Sequence, residues 1–163
     1  MMKSPGRLVV ESLGEREIRI TRVFDAPRRL VFEAHTKPEL LKRWLGVRGG
    51  WELAVCEIEL RAGGVYRYVW RKVAKGIDMG MGGMFREIDE PSRIVCTERF
   101  DDPWYPGECL NTTEFVERGG ETTLTLTLLY ESAAARDGVL QSGMERGLGE
   151  SYDVLAELLK VPA

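Results

Sequence analysis

The strongest constraint in this chain is a change of periodicity near its C-terminal end. Leu124, Leu126, Leu128 and Tyr130 share one parity, and Thr123, Thr125 and Thr127 share the other. That period of two belongs to a strand with one apolar face. From about Asp137 the period becomes helical: Leu140, Met144, Leu148, Tyr152, Leu155 and Leu159 recur every three or four residues. The spacing predicts one long amphipathic helix that ends near Lys160 and Pro162. An apolar sheet face needs a cover, and this helix is the natural one.

The rest of the chain supplies the sheet. Glu17 to Phe24 alternates with Ile18, Ile20 and Phe24 on one parity, as a half-buried strand does. Asp25 is expected to cap a first short helix with Pro27 in its first turn and Leu30, Val31 and Ala34 on its apolar side. Thr36-Lys37-Pro38-Glu39 reads as a capping box opening a second, whose buried stripe is Leu40, Leu41 and Trp44. After Gly46, Gly49 and Gly50, a hairpin is predicted from Trp51 to Leu60 and Val65 to Arg71, turning at Ala62-Gly63-Gly64. Four more strands are expected at Met79 to Ile88, Ile94 to Phe100, Leu110 to Glu117 and Thr122 to Tyr130. The links are too short for crossover helices, so the sheet is antiparallel. The fold class is α+β: a curved antiparallel sheet against a long C-terminal helix, with two short helices after the first strand.

Composition bounds the rest. With 163 residues and 44% hydrophobic content, the chain suits one domain, placed at residues 15–161 behind an N-terminal arm of residues 1–14 that is loose or lightly held at an edge. The net charge is −3 and the basic residues are scattered, so no nucleic-acid partner is expected. Cys56, Cys96 and Cys109 are odd in number and form no CxxC pair, which predicts reduced thiols and no metal or other cofactor. The first ten residues lack the apolar core of a secretory leader, and no stretch reaches the ~18 apolar residues of a membrane span. The expected location is the cytoplasm.

A hollow interior is one of three explanations for Gly143, Gly147 and Ser151, which follow each other at i+4 beside the helix stripe; close helix–sheet contact and a kink are the others. Tyr66, Tyr68 and Trp70 share one strand face and, with Trp44 and Phe85, would line such a space or simply fill a core. The ligand-lining candidates are Trp44, Tyr66, Tyr68, Trp70, Met81, Phe85, Glu98, Trp104, Leu126, Met144 and Tyr152.

Chemistry has little material. His35 is the only histidine, and the expected role is a local hydrogen bond at a helix end, not general-base catalysis. Gly80-Met81-Gly82-Gly83-Met84 lacks the Lys-Ser or Lys-Thr of a nucleotide loop and leads into a strand. Its glycines indicate a flexible edge or bulged strand, or Met79, Met81 and Met84 lend a pocket mouth an adaptable lining. Glu98 shares parity with Ile94, Cys96 and Phe100 and is the best polar site candidate, unless it is tied up at a bulge or by Arg22, Arg67 or Arg99. The loop Asp101 to Gly107 presents Trp104 and Tyr105 as two exposed aromatics, a hairpin loop that could act as a lid or partner contact.

Three groups of motifs carry a family resemblance. Thr21-Arg22-Val23-Phe24-Asp25-Ala26-Pro27, with Val31 to Ala34 and Thr36 to Gly46, is similar to the opening signature of the START-like (SRPBCC) superfamily. Its nearest branch is the activator-of-Hsp90-ATPase homologue family. Glu59 to Tyr66 resembles that family's D-x-R-P-G-G-x-[FY] hairpin, and Gly83 to Ile88 its G-x-[FY]-x-E-[IV] strand. His35 stands where the family's aromatic is usual, and Ala62 where proline is common. The resemblance spans residues 15–160 and implies a helix-grip fold, a bent sheet gripping the C-terminal helix around a cavity. It also implies relatives that bind lipids, polyketides or plant hormones, some of them cyclases. Co-chaperone members carry an additional N-terminal domain; with residues 1–14 alone ahead of its first predicted strand, this chain is not expected to activate a chaperone directly.

Three functions follow as expectations. The first is a non-enzymatic binder of a small hydrophobic or aromatic molecule, as a monomer or homodimer. The second is a cyclase- or hydrolase-type enzyme using Glu98 or Tyr68 as acid or base. The third is a protein-interaction, co-chaperone-like module.

Overall fold

The computed structural model describes residues 6–160. Eight antiparallel strands form one curved sheet: β1 (Val9–Leu13), β2 (Glu17–Phe24), β3 (Trp51–Ile58), β4 (Val65–Lys72), β5 (Ile77–Asp89), β6 (Arg93–Phe100), β7 (Cys109–Arg118) and β8 (Glu121–Leu129). Their order is β1-β2-β8-β7-β6-β5-β4-β3. Only the β2–β8 pairing joins distant parts of the chain, with Ile20 opposite Leu126. It forms because both strands carry a mostly apolar face, interrupted by Arg22 on β2 and Thr122 on β8, and matching two such faces sets the register. Residues 9–13 form the edge strand β1, while the loose-arm expectation for residues 1–5 and the helix end near Pro162 lie outside the described residues.

Helices α1 (Arg28–Thr36) and α2 (Pro38–Leu41) follow β2 as the sequence predicts, but their caps differ. Pro27, not Asp25, is the N-cap of α1, and no side chain caps either helix. Thr36 turns its hydroxyl back to the Phe32 carbonyl at 3.0 Å, so the expected capping box does not form. Leu30 is exposed and Phe32 takes the buried place, because the buried face of α1 is set by its seat on β7 and β8.

The C-terminal cover is two helices, not one. Helix α3 (Ala133–Leu140) stops and α4 (Met144–Leu158) restarts at Gly143, whose φ is 88°. That left-handed backbone favours glycine, and it leaves Leu140 exposed. The apolar period runs unbroken through this joint because a one-dimensional pattern does not record a change of axis. Helix α4 buries Ser151, Tyr152 and Leu155; Tyr152 sets its ring edge-on to Phe24 at 5.6 Å and stacks on Trp44 at 5.9 Å. Burying side chains of this size stabilises the fold by roughly 1.5–3 kcal/mol each.

The series of small residues resolves position by position. Gly143 is the break, Gly147 is exposed with open space around it, and Ser151 marks close contact. The Ser151 hydroxyl accepts from the Gly46 N–H at 3.0 Å, and a side chain at Gly46 would collide with Trp70. None of the three lines the inner cavity, and Gly143 instead borders an outer groove. The interior is nonetheless hollow, for a reason that lies in the strands.

Candidate functional site

The hollow is a partly open, mostly apolar cavity of about 280 Å³. One wall comes from β4, whose parity turns Tyr66, Tyr68 and Trp70 inward. Next to it β5 adds Met81 and Phe85, β6 adds Cys96, Glu98 and Phe100, and β8 adds Leu126. Trp44 and Tyr152 close it from the helical side. Nine of the eleven residues predicted from sequence therefore line one space.

Trp104 and Met144 do not line it. They border an outer groove of about 870 Å³ with Arg67, Met79, Asp101 and Gly143. Trp104 is 46% exposed because it lies in the loop after β6, where strand parity no longer directs the side chain. Its neighbour Tyr105 is buried, contrary to the reading of both as exposed aromatics. Of the three methionines, only Met81 reaches the cavity; Met79 and Met84 are exposed.

The glycines of β5 are neither an edge nor a nucleotide loop. This strand pairs with β4 and β6 and sits inside the sheet. A side chain at Gly83 would collide with the Thr97 carbonyl, and one at Gly80 with the Arg67–Asp101 ion pair. Close backbone approach explains both. The register shift in this strand comes later, between Phe85 and Glu87.

Hydrogen bonds hold the walls. Trp44 Nε1 donates to the Ala34 carbonyl at 2.9 Å, Trp70 Nε1 to the Leu45 carbonyl at 2.9 Å, and Tyr66 Oη to the Thr97 carbonyl at 2.6 Å. The rings are thus fixed by their polar ends and by contacts with one another, while each still contributes to the cavity wall. Burial raises the Tyr66 and Tyr68 hydroxyls far above the usual tyrosine range, and raises the Cys96 thiol to about 12.

Glu98 is the charged member of the wall. Its carboxylate accepts from Tyr105 Oη at 2.8 Å and Asn111 Nδ2 at 3.0 Å. No arginine holds it: Arg67 pairs with Asp101 and Arg22 with Asp153. The ion-pair alternative from sequence is thereby replaced by two neutral donors. Burial raises its pKa, and the two hydrogen bonds only partly oppose that.

His35 was passed over as a lining residue, yet its ring borders the cavity. Its Nδ1 donates to the Val31 carbonyl at 2.8 Å, the local bond expected from sequence, and the ring packs on Trp44 at 4.8 Å and Phe115 at 5.3 Å. Nε2 is buried without a hydrogen-bond partner, and desolvation lowers the pKa to about 4. It replaces an aromatic in shape and stays neutral near pH 7. Leu41, Leu45, Ile94, Asn111, Thr113 and Leu148 complete the lining. Thr113 and Asn111 share parity on β7, a signal the sequence carried.

Among the described residues, no group of three or more His, Cys, Asp or Glu side chains is placed to hold a metal ion. No described helix is long and apolar enough to cross a membrane.

Comparisons with known proteins agree with this architecture. A crystal structure of a Rhodobacter sphaeroides protein is 29% identical, with a TM-score of 0.88 over 94% of this chain and 97% of that one. A Mycobacterium smegmatis protein, Ms6760, is 23% identical, with a TM-score of 0.83 over 96% and 99%. An Hsp90 activator from Plasmodium falciparum is 24% identical, with a TM-score of 0.65 over 90% and 98%. No curated protein matches. The profile of one family, described as activator of Hsp90 ATPase homolog 1-like protein, matches residues 25–160. With its eight-stranded curved sheet, its covering helix and this match across most of its length, the chain belongs to the activator of Hsp90 ATPase homolog 1-like family.

Proposed function

We propose that the protein binds a small hydrophobic or aromatic molecule in the cavity between the sheet and α4. The observation that supports this reading is an apolar space of about 280 Å³ whose walls are aromatic faces. A cavity of roughly 150 Å³ already accepts a benzene-sized guest, so one or two rings fit here. Binding would come from burial and ring contact, with few polar contacts to orient the guest. Cys56, Cys96 and Cys109 are free thiols, which suits a cytoplasmic location.

The test is calorimetric titration with one- and two-ring probes, beside a variant that fills the space. Leu126→Trp is expected to abolish binding while circular dichroism remains that of the native fold. The reading is overturned if no probe binds, or if Leu126→Trp binds as the parent does.

A second reading, a protein-interaction module, is favoured by the outer groove, where Trp104, Ile77 and Met79 leave apolar surface in water. A relative described as an Hsp90 activator has this fold. Association that survives Leu126→Trp but is lost in Trp104→Ala would favour it over the cavity.

A further inference from the structure

Resting on the cavity-binding reading, the chemistry of the wall selects the class of the guest. The cavity has a carboxyl group and no cationic group to pair with it among the described lining residues. Among the described lining residues Glu98 is the sole carboxylate, and none is a lysine or arginine. The titratable groups that face it are Tyr66 and Tyr68 from β4, Cys96 from β6, Tyr105 from the following loop, Cys109 from β7 and Tyr130 beyond β8. All of these are neutral acids, raised by burial. His35, across the lining, is neutral as well.

The two partners of Glu98 suit either of its forms, because Asn111 donates to one oxygen and the Tyr105 hydroxyl at the other can donate to a carboxylate or accept from a carboxylic acid. A buried carboxylate held this way still lacks compensation unless a cation arrives. The same space offers the faces of Trp44, Tyr66, Tyr68, Trp70 and Tyr152, and aromatic faces attract ammonium groups through their quadrupoles. An anionic guest, by contrast, would meet a carboxylate and no positive group.

We infer that the natural guest is an aromatic or apolar amine, bound as its ammonium ion with Glu98 as counter-ion and the rings as its box. Binding also has a pH dependence. In the empty cavity desolvation favours protonated Glu98, whereas beside an ammonium the ionised form is favoured. The amine enters as its ammonium and needs Glu98 ionised, so protonation of Glu98 competes with binding. Affinity for the amine therefore weakens as pH falls.

Three probes of similar shape test it: 2-phenylethylamine, 2-phenylethanol and phenylacetate, titrated calorimetrically near neutral pH. The amine is expected to bind at least ~10-fold more tightly than the alcohol, and phenylacetate more weakly than either. Amine affinity should fall as pH is lowered, whereas alcohol affinity should not. Glu98→Gln should abolish the amine's advantage over the alcohol. If that variant does not fold, the wild-type series and its pH dependence decide. Equal binding of amine and alcohol, binding of phenylacetate at least as tight as the amine, or an amine advantage that survives Glu98→Gln each overturns the inference while leaving cavity binding in place. If none of the three binds and the one- and two-ring probes also fail, the binding reading itself falls.

Discussion

Glu98 and Asp101 are two carboxylates three residues apart, and the fold drives them in opposite directions. Glu98 lies on β6 with its side chain turned into the cavity, where burial raises its pKa and only neutral donors reach it. Asp101 lies just past the strand's end, exposed on the outer groove, where the hydrogen-bonded Arg67 guanidinium lowers its pKa. The sheet itself separates them: along β4, Tyr66, Tyr68 and Trp70 line the cavity, while Arg67 and Val69 line the groove. The groove is the larger space, 870 against 280 Å³, yet its charges are solvated and its Arg67, Asp78 and Asp101 are already in ion pairs. Chemical capacity here follows desolvation, not size.

The contrast breaks or sharpens under four measurements. The largest effect is expected from truncating the inner wall. Trp44→Ala should destabilise the protein by about 3–5 kcal/mol in urea denaturation, against less than about 1 kcal/mol for Trp104→Ala. Comparable losses would erase the distinction between the two spaces.

Next comes pH. The folded His35 pKa is about 4 against an ordinary 6.5, so the unfolded chain takes up the proton first. Stability should fall by up to about 3 kcal/mol as pH drops from 6.5 to 4, and His35→Phe should remove that slope. Glu98 has the opposite sign. Its raised pKa means that the folded state holds the proton longer, so stability is present below its ordinary value and is lost as pH rises through the raised one. Glu98→Gln should flatten that alkaline-going loss, and an unchanged profile would contradict the burial of this group.

A smaller effect is expected on α4. Gly147 is exposed, helical and free of neighbours, so Gly147→Ala should raise stability by about 1 kcal/mol. Loss of stability would mean that the helix–sheet contact extends further than Ser151. The smallest change belongs to Asp101→Asn, a slight loss that diminishes with added salt, as a surface pair requires. A larger, salt-independent loss would move Asp101 into the same class as Glu98.

How much of this was legible depended on the element. Tyr66, Tyr68, Trp70 and Leu126 were found from strand parity, because alternation assigns each side chain to a face without knowledge of the partner strand. Glu98 was found the same way, but its partners were not: Tyr105 comes from a loop and Asn111 from the neighbouring strand. The loop pair Trp104 and Tyr105 read alike in sequence and ended on opposite sides of the surface. His35 was read as a local helix-end residue, and its place in the cavity wall depends on Trp44 and Tyr152 from elsewhere in the chain.

By itself, then, the sequence determined the antiparallel sheet, the face each strand residue takes and the need for a helical cover, since these follow from periods of two and of about 3.6. Tertiary structure alone decided that the cover breaks at Gly143, that the space beneath it stays open and that Glu98 has no cation beside it. Such outcomes depend on which distant groups meet in three dimensions, and no local period encodes that.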